Sequence, residues 1–306
     1  MYDFDEYEKL GSVLIFKRYE AVFYALLLGM FIHIPQSLAI DLQPGEIRAP
    51  KPDSNLLMLT YQHSERGSRY LHGEKQLGEP EIQASQLQIR AGRSFEIKEY
   101  PAFLYMQTPI GYVHPEGSLS NNQGDSGIGD TTFLLAFWPY AQHKTGSYFA
   151  TGAYLTIPTG SYNHERVFNV GQNRYNVALQ AAYQSTITED LHWMAAFDTV
   201  WFTDNDKFGA RSQTLSQDAL YTSQMGLQYI INPRYSLGAT YFYTKGGETS
   251  IDDVRRDDIL KLQRYQLTAT ANFSFGRIML QYGEDLKTEN GFIENSRWTL
   301  RYIRLF

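Results

Sequence analysis

Apolar and polar residues alternate with a period of two along most of the chain. From Tyr175, one phase holds Tyr175, Val177, Leu179, Ala181 and Tyr183, and the other holds Asn176, Gln180 and Gln184. From Tyr221, Ser223, Met225, Leu227, Tyr229 and Ile231 alternate with Thr222, Gln224 and Gln228. The scheme recurs from Tyr235 (Leu237, Ala239, Tyr241 and Tyr243 against Ser236, Thr240 and Thr244). It recurs again from Tyr265 (Leu267, Ala269, Ala271 and Phe273 against Gln266, Thr268, Thr270, Asn272 and Ser274). In the last ten residues, RWTLRYIRLF, the residues Trp298, Leu300, Tyr302 and Phe306 share one face and Thr299 and Arg301 the other; Arg304 interrupts the apolar face. Successive strand residues point to opposite faces, so each segment predicts a strand with one apolar and one polar side.

Aromatic residues recur at the ends of these segments in the same phase: Tyr175 and Tyr183, Trp193 and Trp201, Tyr221 and Tyr229, Tyr265 and Phe273, Trp298 and Phe306. Eight strand residues tilted by roughly 40° rise about 20 Å, close to the apolar band of about 25 Å on an outer-membrane barrel. The connections alternate in length. Arg93-Ser94, Thr188-Glu189-Asp190, Asn232-Pro233-Arg234 and Gly276-Arg277 read as tight turns. Tyr112 to Gly127, Thr159 to Asn173, Thr203 to Asp218, Lys245 to Leu260 and Lys287 to Asn295 read as long polar loops. Short periplasmic turns and long extracellular loops are the pattern of such barrels. The expectation is an all-β fold, an antiparallel transmembrane β-barrel of about 12 strands counted from Leu56, with 10 or 14 as alternatives. The third segment, Lys98 to Ile110, is the weakest, because Pro101 and Pro109 interrupt it.

Composition fits this reading. Aromatics make up 15% of the 306 residues, 23 of them Tyr, a residue whose ring and hydroxyl are both satisfied at a membrane interface. Mean hydropathy is negative, as it is when half of each strand faces a polar interior. The net charge of −6 leaves no basic footprint for nucleic acid, and cysteine is absent.

Near the amino terminus, Lys17 and Arg18 precede the apolar run AVFYALLLGMFI, and Ser37-Leu38-Ala39 supplies small residues before a cut. This predicts a secretory signal over 1–39, cleaved before Ile40; the alternative is a short anchor helix, for which the run is too short. Residues 1–12 carry Asp3, Asp5, Glu6 and Glu8 where a signal should be basic, which suggests a mis-assigned translation start. Residues 40–53, rich in Pro and charge, read as a flexible periplasmic segment, and residues 54–306 as the barrel.

The carboxy-terminal strand, with its apolar face and terminal aromatic, resembles the closing strand of bacterial outer-membrane barrels, in which Tyr302 and Phe306 would serve as the signal to the barrel-assembly machinery. Three further stretches carry a more specific resemblance: SGIGDTTFLLAFWPY (Ser126 to Tyr140), YLTIPTGSY (Tyr154 to Tyr162) and NVGQNRYNV (Asn169 to Val177). Together they resemble the outer-membrane "transporter" family named for the meta-pathway of phenol degradation, over about Leu56 to Phe306. The resemblance implies passage of small, often hydrophobic or aromatic, compounds and supplies no site residues. Read physically, Gly127 and Gly129 permit unusual backbone angles where a loop re-enters the sheet, and Asp130 is placed to hydrogen-bond that turn.

The chemistry to look for lies in the lumen. Inward phase assigns Arg90, Gln180, Gln184, Asp198, Gln224, Gln228, Gln266, Asp285 and Arg301 to the interior, together with Gln86, Gln88 and Gln281. A twelve-strand barrel has a backbone radius of roughly 12 Å, which leaves either a narrow pore or an interior filled by its own polar network. The expected function is passive passage of a small solute through a narrow polar lumen. The alternatives are a structural or adhesive surface barrel with a plugged lumen and, further off, an outer-membrane lipid hydrolase. Hydrolysis is disfavoured because His63 and Ser64 are sequence neighbours and point to opposite faces, while His164 and His192 lack an evident nucleophile and orienting acid. Asn121, Asn122, Asp125 and Asp130, and Asp252, Asp253, Asp257 and Asp258, lack the spacing of a calcium loop, and Arg255 and Arg256 read as lipid-phosphate contacts or as charge balance. No cofactor or metal is expected. The expected partners are outer-membrane lipid and lipopolysaccharide, the assembly machinery and the solute, with the chain a monomer in the outer membrane of a Gram-negative bacterium.

Overall fold

The computed structural model describes residues 41–306; the signal and start-site readings lie outside the described residues. Twelve long strands follow one another, each antiparallel to the next: β1 (Asn55–Leu71), β2 (Pro80–Ile97), β3 (Tyr100–Gly117), β4 (Thr131–Gln142), β5 (Ser147–Ile157), β6 (Asn176–Thr186), β7 (Leu191–Phe202), β8 (Leu220–Ile230), β9 (Tyr235–Gly246), β10 (Leu260–Phe273), β11 (Gly276–Thr288) and β12 (Gly291–Leu305). The sheet closes on itself through β1 and β12, in register from Leu56 opposite Leu305 to Tyr70 opposite Gly291. At the seam the Asn55 N–H donates to the Phe306 carbonyl at 2.7 Å and the Phe306 N–H to the Asn55 carbonyl at 3.0 Å. Closure satisfies every strand edge, the condition for a sheet to stand in hydrocarbon.

The alternation in sequence becomes a difference between two surfaces. Leu179, Met225, Leu227, Leu237, Leu267, Leu280 and Leu300 are exposed on the outer wall, while Gln180, Gln224, Thr240, Gln266, Thr268, Gln281 and Thr299 are buried inside. Aromatic rings meet across neighbouring strands near both rims: Tyr183 with Trp193 at 5.5 Å between centroids, and Tyr282 with Trp298 at 4.8 Å.

Several local expectations are corrected. The segment with two prolines is not weak: β3 runs unbroken from Tyr100 to Gly117. Pro109 falls where the neighbour of β3 changes, between Gln107 (opposite Thr132 of β4) and Ile110 (opposite Ile128 of the short strand Asp125–Ile128). A missing N–H costs no ladder bond on that side. The Tyr112 to Gly127 loop is therefore largely strand. The turn expected at Arg93-Ser94 lies at Lys98-Glu99, because β2 and β3 stay paired past Ser94 (opposite Phe103) as far as Ile97 opposite Tyr100. The turn expected at Gly276-Arg277 lies at Ser274-Phe275. The long loop expected over Lys287 to Asn295 is a tight turn at Glu289-Asn290, entered by Gly291 at φ +98°. The loops after β7 and β9 are not loose. Asn205–Phe208, Gln213–Gln217, Thr249–Ile251 and Val254–Arg255 form a separate four-stranded sheet, in which Arg255 pairs with Asp218 and Glu248. Arg255 thus balances charge within its own loops.

The largest departure concerns the residues before β1. Instead of a flexible lead-in, Asp41 to Ala49 contact inward-facing side chains, and Gln43, Ile47 and Ala49 are buried. A segment rich in Pro and charge looks solvated when only its own sequence is considered; here its polar groups find partners on the barrel's inner face.

Met225 sits midway between the aromatic rims on the outer face of β8 and is 64% exposed. Met225→Arg is expected to cost about 2–4 kcal/mol in a bilayer, measured by denaturant titration of barrel folded in lipid vesicles. A cost near zero would mean that this face does not meet hydrocarbon.

Candidate functional site

The lumen has two unlike walls with the amino-terminal segment between them. One side of the lumen, from β3 to β8, carries a buried apolar cluster beside its inward amides: Tyr105, Leu134, Trp138, Tyr154, Met194 and Val200 pack with Ile47 and Ala49 of the segment. Small residues at inward positions (Ala178, Ala182, Ala196) leave room for it. The Trp138 indole N–H donates to the Ile47 carbonyl at 2.8 Å. The opposite wall, on β10 and β12, is basic. Arg264 reaches Asp41 at 2.6 Å, Arg297 lies 3.5 Å from the same carboxylate, and Arg301 reaches Glu46 at 3.1 Å.

Between the two walls, the wall amides hold the segment's backbone. The Leu42 N–H donates to Gln224 and the Gly45 N–H to Gln184, each at 3.0 Å; the Thr268 hydroxyl donates to the Gln43 side chain at 3.0 Å. Gly45 is at φ +93°, and a Cβ there would stand 2.9 Å from Gln228 Oε1. The positive φ favours glycine, and a Cβ would also require the Gln228 amide to shift.

The side chains assigned to the lumen from sequence all lie on the inner face, and the structure brings most of them into one network. Gln184 and Gln224 hold the segment. Gln224 also donates to buried Asp198 at 3.2 Å, so the carboxylate orients the amide that binds Leu42. Gln180 accepts from the Tyr154 hydroxyl at 3.0 Å, and Gln228 donates to Ser236 at 3.1 Å. Arg90 donates twice to Gln107, at 2.9 and 2.7 Å, and its guanidinium lies 4.3 Å from the Tyr105 ring centroid. Asp285 stands opposite Arg264 in register and accepts from the Glu294 N–H at 2.7 Å, and Gln266 is buried next along the same strand as Arg264. Tyr302 and Phe306 are at the seam. The Tyr302 hydroxyl donates to the Phe275 carbonyl at 2.8 Å, and Phe306 is largely exposed.

Sequence reasoning missed Arg264, Arg297, Glu294 and Arg66. They form a buried ion cluster, with Arg66 to Glu294 at 3.0 Å and Arg297 to Glu294 at 2.7 Å. The phase that placed Arg301 inside also places Arg297 there, and the phase of Gln266 places Arg264. Sequence reasoning also gave no lumenal role to Tyr105, Trp138 and Tyr154, which lie in the buried apolar cluster.

The three motif stretches converge at the extracellular mouth. Asp130 is buried and accepts from the Gly160 N–H at 2.9 Å and the Gln172 N–H at 2.8 Å, one from each of the other two stretches. Asp125 accepts from the Val170 N–H at 3.0 Å and pairs with Arg166 at 2.6 Å. Gly160 and Gly171 pack backbone against backbone, so that a Cβ on Gly160 would stand 2.8 Å from the Gly171 Cα. The motif is a knot between loops: two carboxylates hold the loop after β5 against the short strand Asp125–Ile128. Beside it lies a small recess open to solvent, lined by Gln62, Ser64, Arg66, Gln86, Gly129 and Val170.

The pairs weighed for catalysis are not brought together: Ser64 is buried inside while His63 is on the outer face, and His192 bonds Thr186 at 3.2 Å. On the outer face His63 bonds the Ser85 hydroxyl at 2.8 Å and lies 3.5 Å from Glu65, a hydroxyl, an imidazole and a carboxylate that sequence reasoning did not bring together. Among the described residues no group of His, Asp or Glu side chains is placed to hold a metal ion.

A closed barrel with lipid-facing alternation and a polar, partly filled lumen defines an outer-membrane channel-type protein. The chain belongs to the family described as MetA-pathway of phenol degradation, whose model matches residues 83–302. Among solved structures it is similar to the COG4313 outer membrane channel from Pseudomonas putida F1, with 31% identity and a TM-score of 0.84 over 87% of this chain and 100% of that one. It is also similar to the β domain of the Bordetella autotransporter BrkA, with 10% identity and a TM-score of 0.52 over 82% of this chain and 99% of that one. The second likeness speaks to the fold alone. No curated protein sequence matches the chain. The protein is thus an outer-membrane β-barrel of a channel family.

Asp130→Asn puts an amide N–H₂ against one of two buried N–H donors. It is expected to loosen the loop knot by about 1–3 kcal/mol, seen as faster proteolytic cutting between Pro158 and Tyr175 with the barrel intact. Unchanged cutting would mean that Asp130 does not hold the loop.

Proposed function

We propose that the protein is a channel for passive passage of a small, hydrophobic or aromatic solute, and that residues 41–50 are a removable lumenal plug. One observation carries this reading. Over these residues the segment's bonds to the barrel run through side chains, and among the described residues its backbone–backbone bond is internal, from the Glu46 N–H to the Gln43 carbonyl. A segment held without a β-ladder can leave without breaking the sheet. Once it has left, the lumen would present the apolar wall of Tyr105, Trp138 and Tyr154 to an aromatic solute and the amides Gln180, Gln184, Gln224, Gln228 and Gln266 to water. Arg90, Asp198, Asp285 and Arg301 would set the field in the pore. The similarity to the COG4313 outer membrane channel supports the channel part of this reading.

The finer parts of this reading follow from sequence. Residues 1–39 would be removed on export. Tyr302 and Phe306 would present the carboxy-terminal strand to the assembly machinery, and the folded monomer would sit among outer-membrane lipid and lipopolysaccharide without catalysing a reaction. The rival, a sealed structural barrel, is favoured by the ion pairs that fill the lumen, since breaking one such buried pair costs about 3–5 kcal/mol.

Planar-bilayer recording separates the two. Deleting residues 41–50 is expected to raise conductance several-fold with the barrel folded; a silent, folded deletion variant would favour the sealed barrel. In the conducting form Asp198→Asn is expected to shift the reversal potential in a salt gradient toward anions, and no shift would remove Asp198 from the conduction path.

A further inference from the structure

The plug touches the two lumenal walls with chemically distinct groups. Glu46 and Ile47 are neighbours in sequence, yet Glu46 pairs with Arg301 of β12 while Ile47 is buried against Trp138 of β4 and its neighbours. Asp41, five residues earlier, takes Arg264 and Arg297. An apolar body on one side and a carboxylate on the other is also the outline of a small amphipathic acid.

The charges explain why the basic wall needs an occupant. Among the described residues Arg66 and Arg297 pair with Glu294, and Asp285 stands opposite Arg264; Asp41 and Glu46 of the segment supply the carboxylates that pair with Arg264, Arg297 and Arg301. Arg264, Arg297 and Arg301 are all buried. Withdrawing the plug without replacement would leave buried guanidinium charge uncompensated, which costs several kcal/mol. Replacing one carboxylate by another avoids most of that cost, and the planar guanidinium is suited to accept any carboxylate in the same geometry.

We propose that Arg264, Arg297 and Arg301 form a carboxylate-binding site that the chain's own Asp41 and Glu46 occupy at rest, and that the solutes admitted are small organic acids with an apolar body, which displace the plug by taking its place. This deepens the channel reading and rests on it for transport, but binding at the site can be measured without conduction. The apolar wall would take the hydrocarbon part where Ile47 now sits. Arg301 would take the carboxylate where Glu46 now sits.

Displacement can be followed through Trp138, whose indole bond to Ile47 is broken when the plug leaves; the signal is assigned by its loss in Trp138→Phe. The purified mature protein is titrated with cyclohexanecarboxylate and, in parallel, with cyclohexylmethanol, at constant ionic strength in sodium chloride. The expected result is a saturable fluorescence change with the acid and none with the alcohol. Glu46→Gln removes the competing carboxylate and is expected to lower the half-saturating concentration about tenfold. Arg301→Gln is expected to raise it, with heat-modifiable migration on gels confirming a folded barrel. An equal response to the alcohol would overturn the proposal, as would an unchanged half-saturation in Glu46→Gln. So would no acid response in a protein that conducts when residues 41–50 are deleted, and in that case the channel reading survives. Saturable acid binding by a protein that stays silent after the deletion leaves the site standing and removes the channel.

Discussion

Closure of the sheet between β1 and β12 is the constraint from which the other features follow. In hydrocarbon an unpaired strand edge cannot be left to water, so Leu56 to Tyr70 must find Gly291 to Leu305, and the last residue is fixed against Asn55 by two backbone bonds. Closing twelve strands fixes the interior as well. It creates a space too narrow for a broad pore and too wide for one layer of side chains to fill. The polar phase of every strand points into that space, so the interior must be satisfied by water, by its own ion pairs or by another segment of chain.

Residues 41–50, ahead of β1, enter the lumen and answer both sides, Ile47 and Ala49 to the apolar cluster and Asp41 and Glu46 to the basic side. Asp41 pairs with Arg264 and Arg297, and Glu46 with Arg301. Polar contacts through side chains hold the segment in register without building it into the sheet. The same economy appears at the mouth, where Asp125 and Asp130 replace a missing ladder by accepting loop N–H groups. The glycines of the motif are there because two backbones meet, and no bound phosphate is needed to explain them.

The barrel was legible in the sequence because its signal is local. A period of two and aromatics eight residues apart each report on a strand's own surroundings, and they pointed to about twelve strands, with ten or fourteen left open, and to the inward set that includes Gln184, Gln224, Asp198 and Arg301. Turn positions were less legible. Ser94 and Gly276 look like turn residues but sit within strands, since what matters is whether a partner across the sheet extends as far. Pro109 looks like a strand breaker but falls where the neighbour changes.

What the sequence determined by itself, then, is a lipid-facing barrel with a polar interior, because the bilayer acts on every strand separately and leaves the same alternation in each. What only the tertiary structure decided is the content of the interior. That Asp41 meets Arg264 across 223 positions of chain, that Ile47 meets Trp138, and that Asp130 joins Gly160 to Gln172 depends on distances set by closure. A charged residue beside a proline reads as solvated until the barrel brings a buried guanidinium to it. No period along the chain records that meeting.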